Sequence, residues 1–201
     1  REPPHYITLG KELPAKALDE ILTDHAEVFT ELKEYYKQTS ESDTTKISFY
    51  EDTYSLYNLY RFAHYYEEAY GKYIWLKSGA SLVIEHTEAM TVIDVNTGSV
   101  LKKKKQEDTL FYQINREAAK EIARQLRLRN ISGIIMIDFI NMKDTAQKEK
   151  LLSLLDSECK KDRVHCNVID MTALNLVEMT RSKVRKPLHE QIRSCMKNNR
   201  S

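Results

Sequence analysis

The segment "EAMTVIDVNTG", residues 88–98, ends a short apolar run with an acid, an amide and a glycine. Residues two apart on a strand point to the same face, so Asp94 and Asn96 are predicted to lie side by side. The segment "SGIIMIDF", residues 132–139, is a nearly all-apolar run that also closes on an acid, Asp138. Such a run is typical of a central strand buried on both faces. These segments predict an α/β sheet with carboxylates at the ends of two strands.

The rest of the chain predicts helices and strands around that sheet. Helices are predicted at "LPAKALDEIL", "EVFTELKEYYKQ", "SLYNLYRFAHYYEEAYGKY", "EDTLFYQINREAAKEIARQLRLR", "TAQKEKLLSLLDSECKK" and "NLVEMTRSKVRK". Further strands are predicted at "TKISFYED", in a meander within "YIWLKSGASLVIEHTEAMTVIDVNTG", and at "VHCNVIDM". The tail "HEQIRSCMKNNRS" is polar and is expected to fray. The predicted fold class is therefore α/β, with mixed sheets and packed helices.

The composition of the chain limits the classes of protein to which it can belong. The chain has 201 residues, of which 41% are hydrophobic, enough for a sizeable core. Lys and Arg number 31 against 30 Asp and Glu, so any basic surface for nucleic acid must be local. No run approaches the roughly 18 apolar residues of a membrane span. The chain opens on "REPPHYITLGKE", with Arg1 in place of Met, and we expect a piece of a longer protein without a signal peptide.

The cysteine pattern favours reduced thiols in the cytoplasm. The three cysteines, Cys159, Cys166 and Cys195, are irregularly spaced and odd in number. That pattern suits neither a zinc knuckle nor a closed disulfide framework. We therefore expect Cys159 and Cys166 to pack in the core.

The strand-end residues indicate a chemistry. Two carboxylates brought together repel, and a divalent cation removes that repulsion. Mg²⁺ typically takes one or two carboxylates and leaves its other positions to water and substrate phosphate. An Asn amide can donate a hydrogen bond to a phosphate oxygen without adding charge. This set suits phosphodiester hydrolysis, although an acid at a strand end is common, and Asp170 closes "VHCNVID" in the same way.

Three longer segments identify a protein family more specifically than the spacing of the acidic residues does. These are "WLKSGASLVIEHTEAMTVIDVNTG", "INREAAKEIARQLRLRNISGIIMIDFINM" and "NLVEMTRSKVRKPL", between about residues 74 and 190. Together, and in this order, they resemble the catalytic region of the bacterial ribonuclease E/G family. The resemblance implies a ribonuclease H-like segment at 1–78 and a deoxyribonuclease I-like catalytic subdomain at 79–186, followed by a polar tail at 187–201.

The resemblance also implies an activity. It indicates a Mg²⁺-dependent endoribonuclease, with Mn²⁺ as a substitute ion, that cuts single-stranded RNA to 5′-phosphate and 3′-hydroxyl ends in RNA processing and decay. The family's two metal-binding aspartates fall on Asp94 and Asp138, and its substrate-positioning asparagine falls on Asn96. This assignment separates Asp138 from Asp170.

The chain departs from the family in several places. Nothing reads as the family's OB-fold or 5′-end-sensing modules. Only Cys195 stands near the family's zinc-binding cysteine pair, so we expect no zinc and leave open a homo-oligomer without the zinc link. Asn141 stands where the family often has aspartate. The alternative is a non-catalytic RNA-binding or assembly module that retains the fold. A third reading is a metal phosphodiesterase acting on DNA, which only the resemblance argues against.

Several features have competing interpretations. The run Lys102, Lys103, Lys104 and Lys105 either contacts RNA phosphates or is a solvated loop. Arg124 either tracks RNA, complements the dipole of its helix, or pairs with acids, and the same ambiguity covers Arg127, Arg129 and the basic cluster at 181–186. His86 is expected to be structural or solvent-facing, since the family more often has Gln there. Six tyrosines, at positions 57, 60, 65, 66, 70 and 73, are expected to form a packing face, with stacking on RNA bases as the alternative.

Overall fold

The computed structural model describes residues 4, 6–7, 19–39, 46–98 and 107–198 and confirms the α/β composition. The chain divides into two compact units, Arg1–Tyr65 and Tyr66–Ser201. The described helices are α1 (Ala26–Thr39), α2 (Leu56–Leu59), α3 (Phe62–Tyr70), α4 (Glu107–Leu128), α5 (Thr145–Cys159) and α6 (Leu188–Asn198). The described strands are β1 (Glu20–Thr23), β2 (Lys46–Phe49), β3 (Tyr73–Trp75), β4 (Ser81–His86), β5 (Met90–Asn96), β6 (Gly133–Asp138), β7 (Cys166–Met171) and β8 (Leu176–Arg181). None of the helices in these ranges combines the length with the apolar character that a membrane span needs.

The first unit is built around a parallel pair of short strands, β1 and β2. Helix α1 connects them and buries Leu32, while the rings of Phe29 and Phe49 lie 5.4 Å apart. This arrangement covers one side of the pair with a helix, as parallel strands require.

The second unit carries a mixed sheet. In the described part of the chain, six strands lie in the order β3-β4-β5-β6-β8-β7. Strands β5 and β6 pair in parallel and the other neighbours are antiparallel. Parallel neighbours need a crossover, which α4 supplies between β5 and β6.

One face of this sheet forms the core. Alternate strand residues, among them Ile93, Ile135 and Val177, are fully buried. They join the inward-facing residues of α4 and α5: Ile114, Ala118, Ile122, Leu126, Leu151 and Leu155. The regular spacing of the α4 residues is the stripe that the sequence predicts. Cys159 is buried in the same core and Cys166 packs against it, which confirms the prediction for both thiols.

The opposite face of the sheet is open in the described residues. Ile134 of β6 is 49% exposed, and Asp138 on the same face is also exposed. The prediction that this strand is buried on both faces is therefore wrong, because helices cover only one face here. This open face carries the candidate site residues.

Three other sequence predictions also need correction. The segment "NLVEMTRSKVRK", predicted as a helix, contains strand β8, in which buried Val177 and Met179 alternate with half-buried neighbours. That period of two is typical of a strand. The described end of "LPAKALDEIL", from Glu20, lies in β1, and residues 11–18 are outside the described ranges. The C-terminal tail, which the sequence predicts to fray, contains helix α6.

The tyrosines do not form a packing face. All six are exposed, from 46% for Tyr70 to 60% for Tyr73. The packing interpretation is wrong because the side of the chain that these rings occupy is not covered by other described elements.

A buried ion pair joins β8 to the turn before β7. Arg181 is 4% exposed, and its Nε donates to Asp162 Oδ2 at 2.9 Å. Its Nη1 donates to Asn130 Oδ1 at 2.9 Å and to the Ile131 carbonyl at 3.0 Å. These contacts make Arg181 a structural residue of the basic cluster at 181–186, and they connect three segments of the chain.

Replacing Arg181 should destabilise the fold strongly. We expect Arg181→Met to lower the free energy of unfolding by about 3–5 kcal/mol, since it leaves the Asp162 carboxylate buried and unpaired. Urea unfolding followed by circular dichroism measures the loss. The control is Lys183→Met, because Lys183 forms an exposed ion pair with Glu190 at 3.5 Å. This variant should lower the free energy of unfolding by about 0.5 kcal/mol or less. Equal losses in the two variants would contradict the structural role of Arg181.

Candidate active site

The parallel pairing of β5 and β6 brings the two predicted aspartates together. Asp94 and Asp138 are direct partners in the register, so both side chains lie on the open face of adjacent strands. Adjacent strands are about 4.8 Å apart. Partial burial of the Asp138 carboxyl, and then the Asp94 charge, raise the pKa of Asp138 above its usual value. The site is therefore a pair of carboxylates that repel each other.

Asn96 completes the group. Its Nδ2 donates to Asp94 Oδ2 at 2.7 Å, and its side chain is exposed. The structure thus brings together all three residues that the sequence assigned to catalysis. Asp170 lies elsewhere, on β7, and β8 separates that strand from β6.

A buried amide holds the chain that follows Asp138. Asn115 of α4 is fully buried, and its side chain makes two bonds with Ile140. Its Nδ2 donates to the Ile140 carbonyl at 2.7 Å, and its Oδ1 accepts from the Ile140 N–H at 3.0 Å. Asn115 is a supporting residue that the sequence patterns do not predict. The available signal was an amide next to Ile114 in the apolar stripe of a long helix, where a polar side chain needs a partner.

A second support holds the turn at residues 77–80, which contacts the chain after Asn96. The Glu117 carboxylate accepts from the N–H groups of Lys77 and Ser78 at 2.7 and 3.3 Å. The turn at 77–80 in turn contacts Gly98, where a Cβ atom would lie 2.5 Å from the Gly79 carbonyl oxygen. Gly98 also has φ of +55°, a conformation that favours glycine. The contact between the "SGA" and "NTG" turns therefore gives a steric reason for glycine at position 98.

The donor set fits Mg²⁺. It offers two carboxylates and a neighbouring amide, and Mg²⁺ commonly takes one or two carboxylates together with water and phosphate oxygens. Within the described ranges, no group of three or more His, Cys, Asp or Glu side chains gathers as a metal cage. The side chain of Cys195 is not among those described.

Five residues are predicted to bind RNA, and one of them, Arg124, lies within the described residues. Lys102, Lys103, Lys104 and Lys105 lie outside the described residues. Arg124 pairs with Glu121 at 2.8 Å and Glu68 at 3.5 Å. It sits near the end of α4, and α4 runs back from the carboxyl end of β5 to the start of β6, away from the carboxylates. RNA binding by these five residues stays a prediction.

His86 lies in a separate cavity of about 260 Å³, which Lys72, Arg129 and His189 also line. The rings of His86 and His189 stack with centroids 3.8 Å apart. Burial, and then the charges of His189 and Arg129, lower the pKa of His86 to about 4. His86 pairs with Thr91 in the sheet, three residues before Asp94, which places it about 10 Å from that carboxylate along the strand. His86 is therefore not positioned as a general base for this site.

Comparison with known proteins identifies relatives. A model of the Ribonuclease E/G family matches residues 1–184. Ribonuclease G of Escherichia coli (strain K12) is 38% identical over 171 residues, which are 85% of this chain and 35% of that protein. Ribonuclease G of Haemophilus influenzae is 39% identical over the same shares, and Ribonuclease E of Nostoc sp. is 34% identical over 86% of this chain and 26% of that protein. The chain thus spans about a third or less of the length of these curated relatives.

Adding a methyl group at Gly98 should disturb the turn beside Asn96. We expect Gly98→Ala to lower the free energy of unfolding by about 2 kcal/mol or more, since a left-handed φ and a backbone collision act together. The control is Gly133→Ala, because Gly133 also has a positive φ but no atom within 4 Å of the added Cβ. A loss no larger than that of the control, measured by urea unfolding, would show that the contact with Gly79 is unimportant.

The depressed pKa of His86 predicts a pH-dependent stability. The unfolded chain binds a proton at His86 near pH 6.5, whereas the folded chain does so only near pH 4. Stability from the neutral ring is therefore complete above pH 6.5 and is lost as the pH falls toward 4. Between pH 7 and 5, we expect wild type to lose about 1 kcal/mol more than His86→Gln, after allowance for solvent screening.

Urea midpoints at the two pH values measure that difference. The control is His165→Gln, because His165 is exposed. The His165→Gln variant should lose as much stability as wild type when the pH falls from 7 to 5. If His86→Gln and wild type lose the same amount, the buried histidine is not the source of the pH dependence.

Proposed function

The chain belongs to the ribonuclease E/G family, and from this membership we propose that it is the catalytic core of a Mg²⁺-dependent endoribonuclease. It would hydrolyse phosphodiester bonds of single-stranded RNA and leave 5′-phosphate and 3′-hydroxyl ends. The observation that carries this proposal is the side-by-side placement of Asp94 and Asp138, with Asn96 bonded to Asp94 at 2.7 Å.

Asp94 and Asp138 would hold the metal ion, with Mn²⁺ as a substitute. A bound Mg²⁺ supplies positive charge at the scissile phosphate and makes the attacking water more acidic. The two aspartates contribute negative charge at one point of the open face. The pKa of Asp138 is raised by burial and, after that, by the Asp94 charge, and a cation would offset the part that comes from this repulsion.

Asn96 would orient the phosphate. A side-chain amide has two N–H donors. One of them is bonded to Asp94, and the other can donate to a phosphate oxygen while the amide keeps its place. Asn96 would thus set the distance between the phosphate and the two carboxylates without adding charge of its own.

The finer fold assignment is part of the proposal. We infer a ribonuclease H-like segment at 1–78 and a deoxyribonuclease I-like subdomain at 79–186 from the family resemblance. The division of the chain into two compact units falls between Tyr65 and Tyr66, and β3 belongs to the sheet of the second unit. A cytoplasmic location and a homo-oligomer without a zinc link stay predictions from the sequence.

Cleavage should depend on both aspartates. We expect Asp94→Asn and Asp138→Asn each to slow cleavage by about 100-fold or more, because each removes charge and a ligand from the proposed metal site. The measurement is single-turnover cleavage of a 5′-monophosphorylated, AU-rich single-stranded RNA at low salt, with enzyme in excess and with Mg²⁺ or EDTA. A DNA strand of matched sequence tests the choice of substrate.

The matched control is Asp170→Asn. Asp170 also closes an apolar strand but lies two strands away from Asp138, so its variant should cut at the wild-type rate. Wild-type cleavage by both Asp94→Asn and Asp138→Asn would overturn the metal assignment. RNA binding by wild type without any Mg²⁺-dependent cleavage would favour the non-catalytic module instead.

A further inference from the structure

Two large aromatic side chains stand exposed on edge strand β3. Trp75 is 72% exposed and Tyr73 is 60% exposed, while Ile74 between them is buried in the core. Trp75 is the one tryptophan of the chain. Strand β3 thus presents two rings on a single face of the sheet and is anchored through the residue between them.

The strand register places these rings on the face that carries the candidate site. Trp75 pairs with Ser81, and Ser81 pairs with Asn96. In the next row, Tyr73 pairs with Val83, which pairs with Asp94. Directly paired residues share a face of the sheet. Each aromatic residue is therefore in the same cross-strand row as a residue of the proposed site.

The distance suits a ligand that extends from that site. Two strand spacings separate Trp75 from Asn96, or about 10 Å between backbones. The residues between them are small: Ser81 is 6% exposed, and Val83 is half-buried. No bulky side chain of β4 stands between the rings and the carboxylates in these two rows.

The backbone at the end of β3 is also held in place. The Leu76 N–H donates to the Ala80 carbonyl at 2.9 Å, which closes the turn that follows Trp75. Glu117 binds the N–H groups of the same turn, the one that contacts Gly98 after Asn96. The support that positions Asn96 therefore also positions the end of β3.

We propose that Trp75, with Tyr73 beside it, is a stacking platform for the bases of single-stranded RNA, a few nucleotides at most from the scissile phosphate. This inference rests on the proposed function, because RNA seated at Asp94 and Asn96 is what brings a base to the ring. Bases stack on exposed aromatic side chains with little regard to sequence. Bases within a duplex are already stacked on one another, so the platform selects single strands.

Trp75 is the one tryptophan of the chain, so tryptophan fluorescence measures its contact with RNA directly. Titration of the wild-type chain with a single-stranded adenine dodecamer, in EDTA so that no cleavage intervenes, should quench the Trp75 fluorescence in a saturable way. A self-complementary RNA duplex of equal length should give little quenching. Anisotropy of a labelled dodecamer measures the affinity independently of the tryptophan.

Variants test whether the contact contributes to binding. Trp75→Ala should weaken binding of the dodecamer by about 10-fold or more, and Trp75→Phe should recover part of the lost affinity. The control is Tyr66→Ala, since Tyr66 is an aromatic residue with 52% exposure on helix α3 and not on the sheet. In cleavage assays, Trp75→Ala should raise the enzyme concentration needed for half-maximal rate and leave the rate at saturation unchanged.

The outcomes separate this inference from the proposed function. Unchanged anisotropy in Trp75→Ala, absence of quenching, or equal quenching by duplex would each overturn the platform even if cleavage is normal. Any of these three outcomes would be expected if another part of a longer chain covered Trp75 and Tyr73. Trp75-dependent binding without Mg²⁺-dependent cleavage would support the platform and count against the enzyme. No RNA binding at low salt would overturn both.

Discussion

The repulsion between Asp94 and Asp138 is the constraint around which the second unit is organised. Two carboxylates on adjacent strands, in direct register, are unfavourable unless something holds the strands together and something else compensates the charge. The buried face supplies the first, because Ile93, Ile135 and their neighbours pack against α4 and α5. The open face leaves room for the second. The sheet can therefore hold a charge arrangement that would not persist without the core behind it.

Helix α4 has more than one task in this arrangement. Its apolar stripe covers the sheet, and two of its polar residues reach the ends of the strands. Asn115 fixes the chain after Asp138, and Glu117 fixes the turn that contacts Gly98. The site residues come from strands, but their positions depend on hydrogen bonds from one helix. Such support is what keeps a site within the small tolerance that catalysis requires.

Local sequence patterns predicted most of the helices and strands and the strand ends that carry Asp94 and Asp138, and they failed where long-range packing decides the structure. The strand ends at Asp94 and Asp138 could be read because an apolar run stops at an acid. Their direct pairing, the choice of Asp138 over Asp170, and the role of Asn115 depend on strand order, which periodicity does not contain. Strand β8 was missed because its charged flanks resemble a helix surface, although Val177 and Met179 alternate as in a strand. The tyrosine-rich helices kept their rings exposed because helical spacing does not say whether another element covers that face.

The parallel pair at the centre of an otherwise antiparallel sheet has a consequence for how the protein is made. Asp94 and Asp138 are separated in the chain by all of α4, so their pairing is a non-local contact that forms only after the crossover has folded back. During synthesis, β5 leaves the ribosome well before β6. A growing chain therefore holds one carboxylate but not the pair, and the proposed nuclease centre does not exist until the second strand has emerged and docked. The order of synthesis thus means that the proposed site forms only after β6 has been made and has paired with β5.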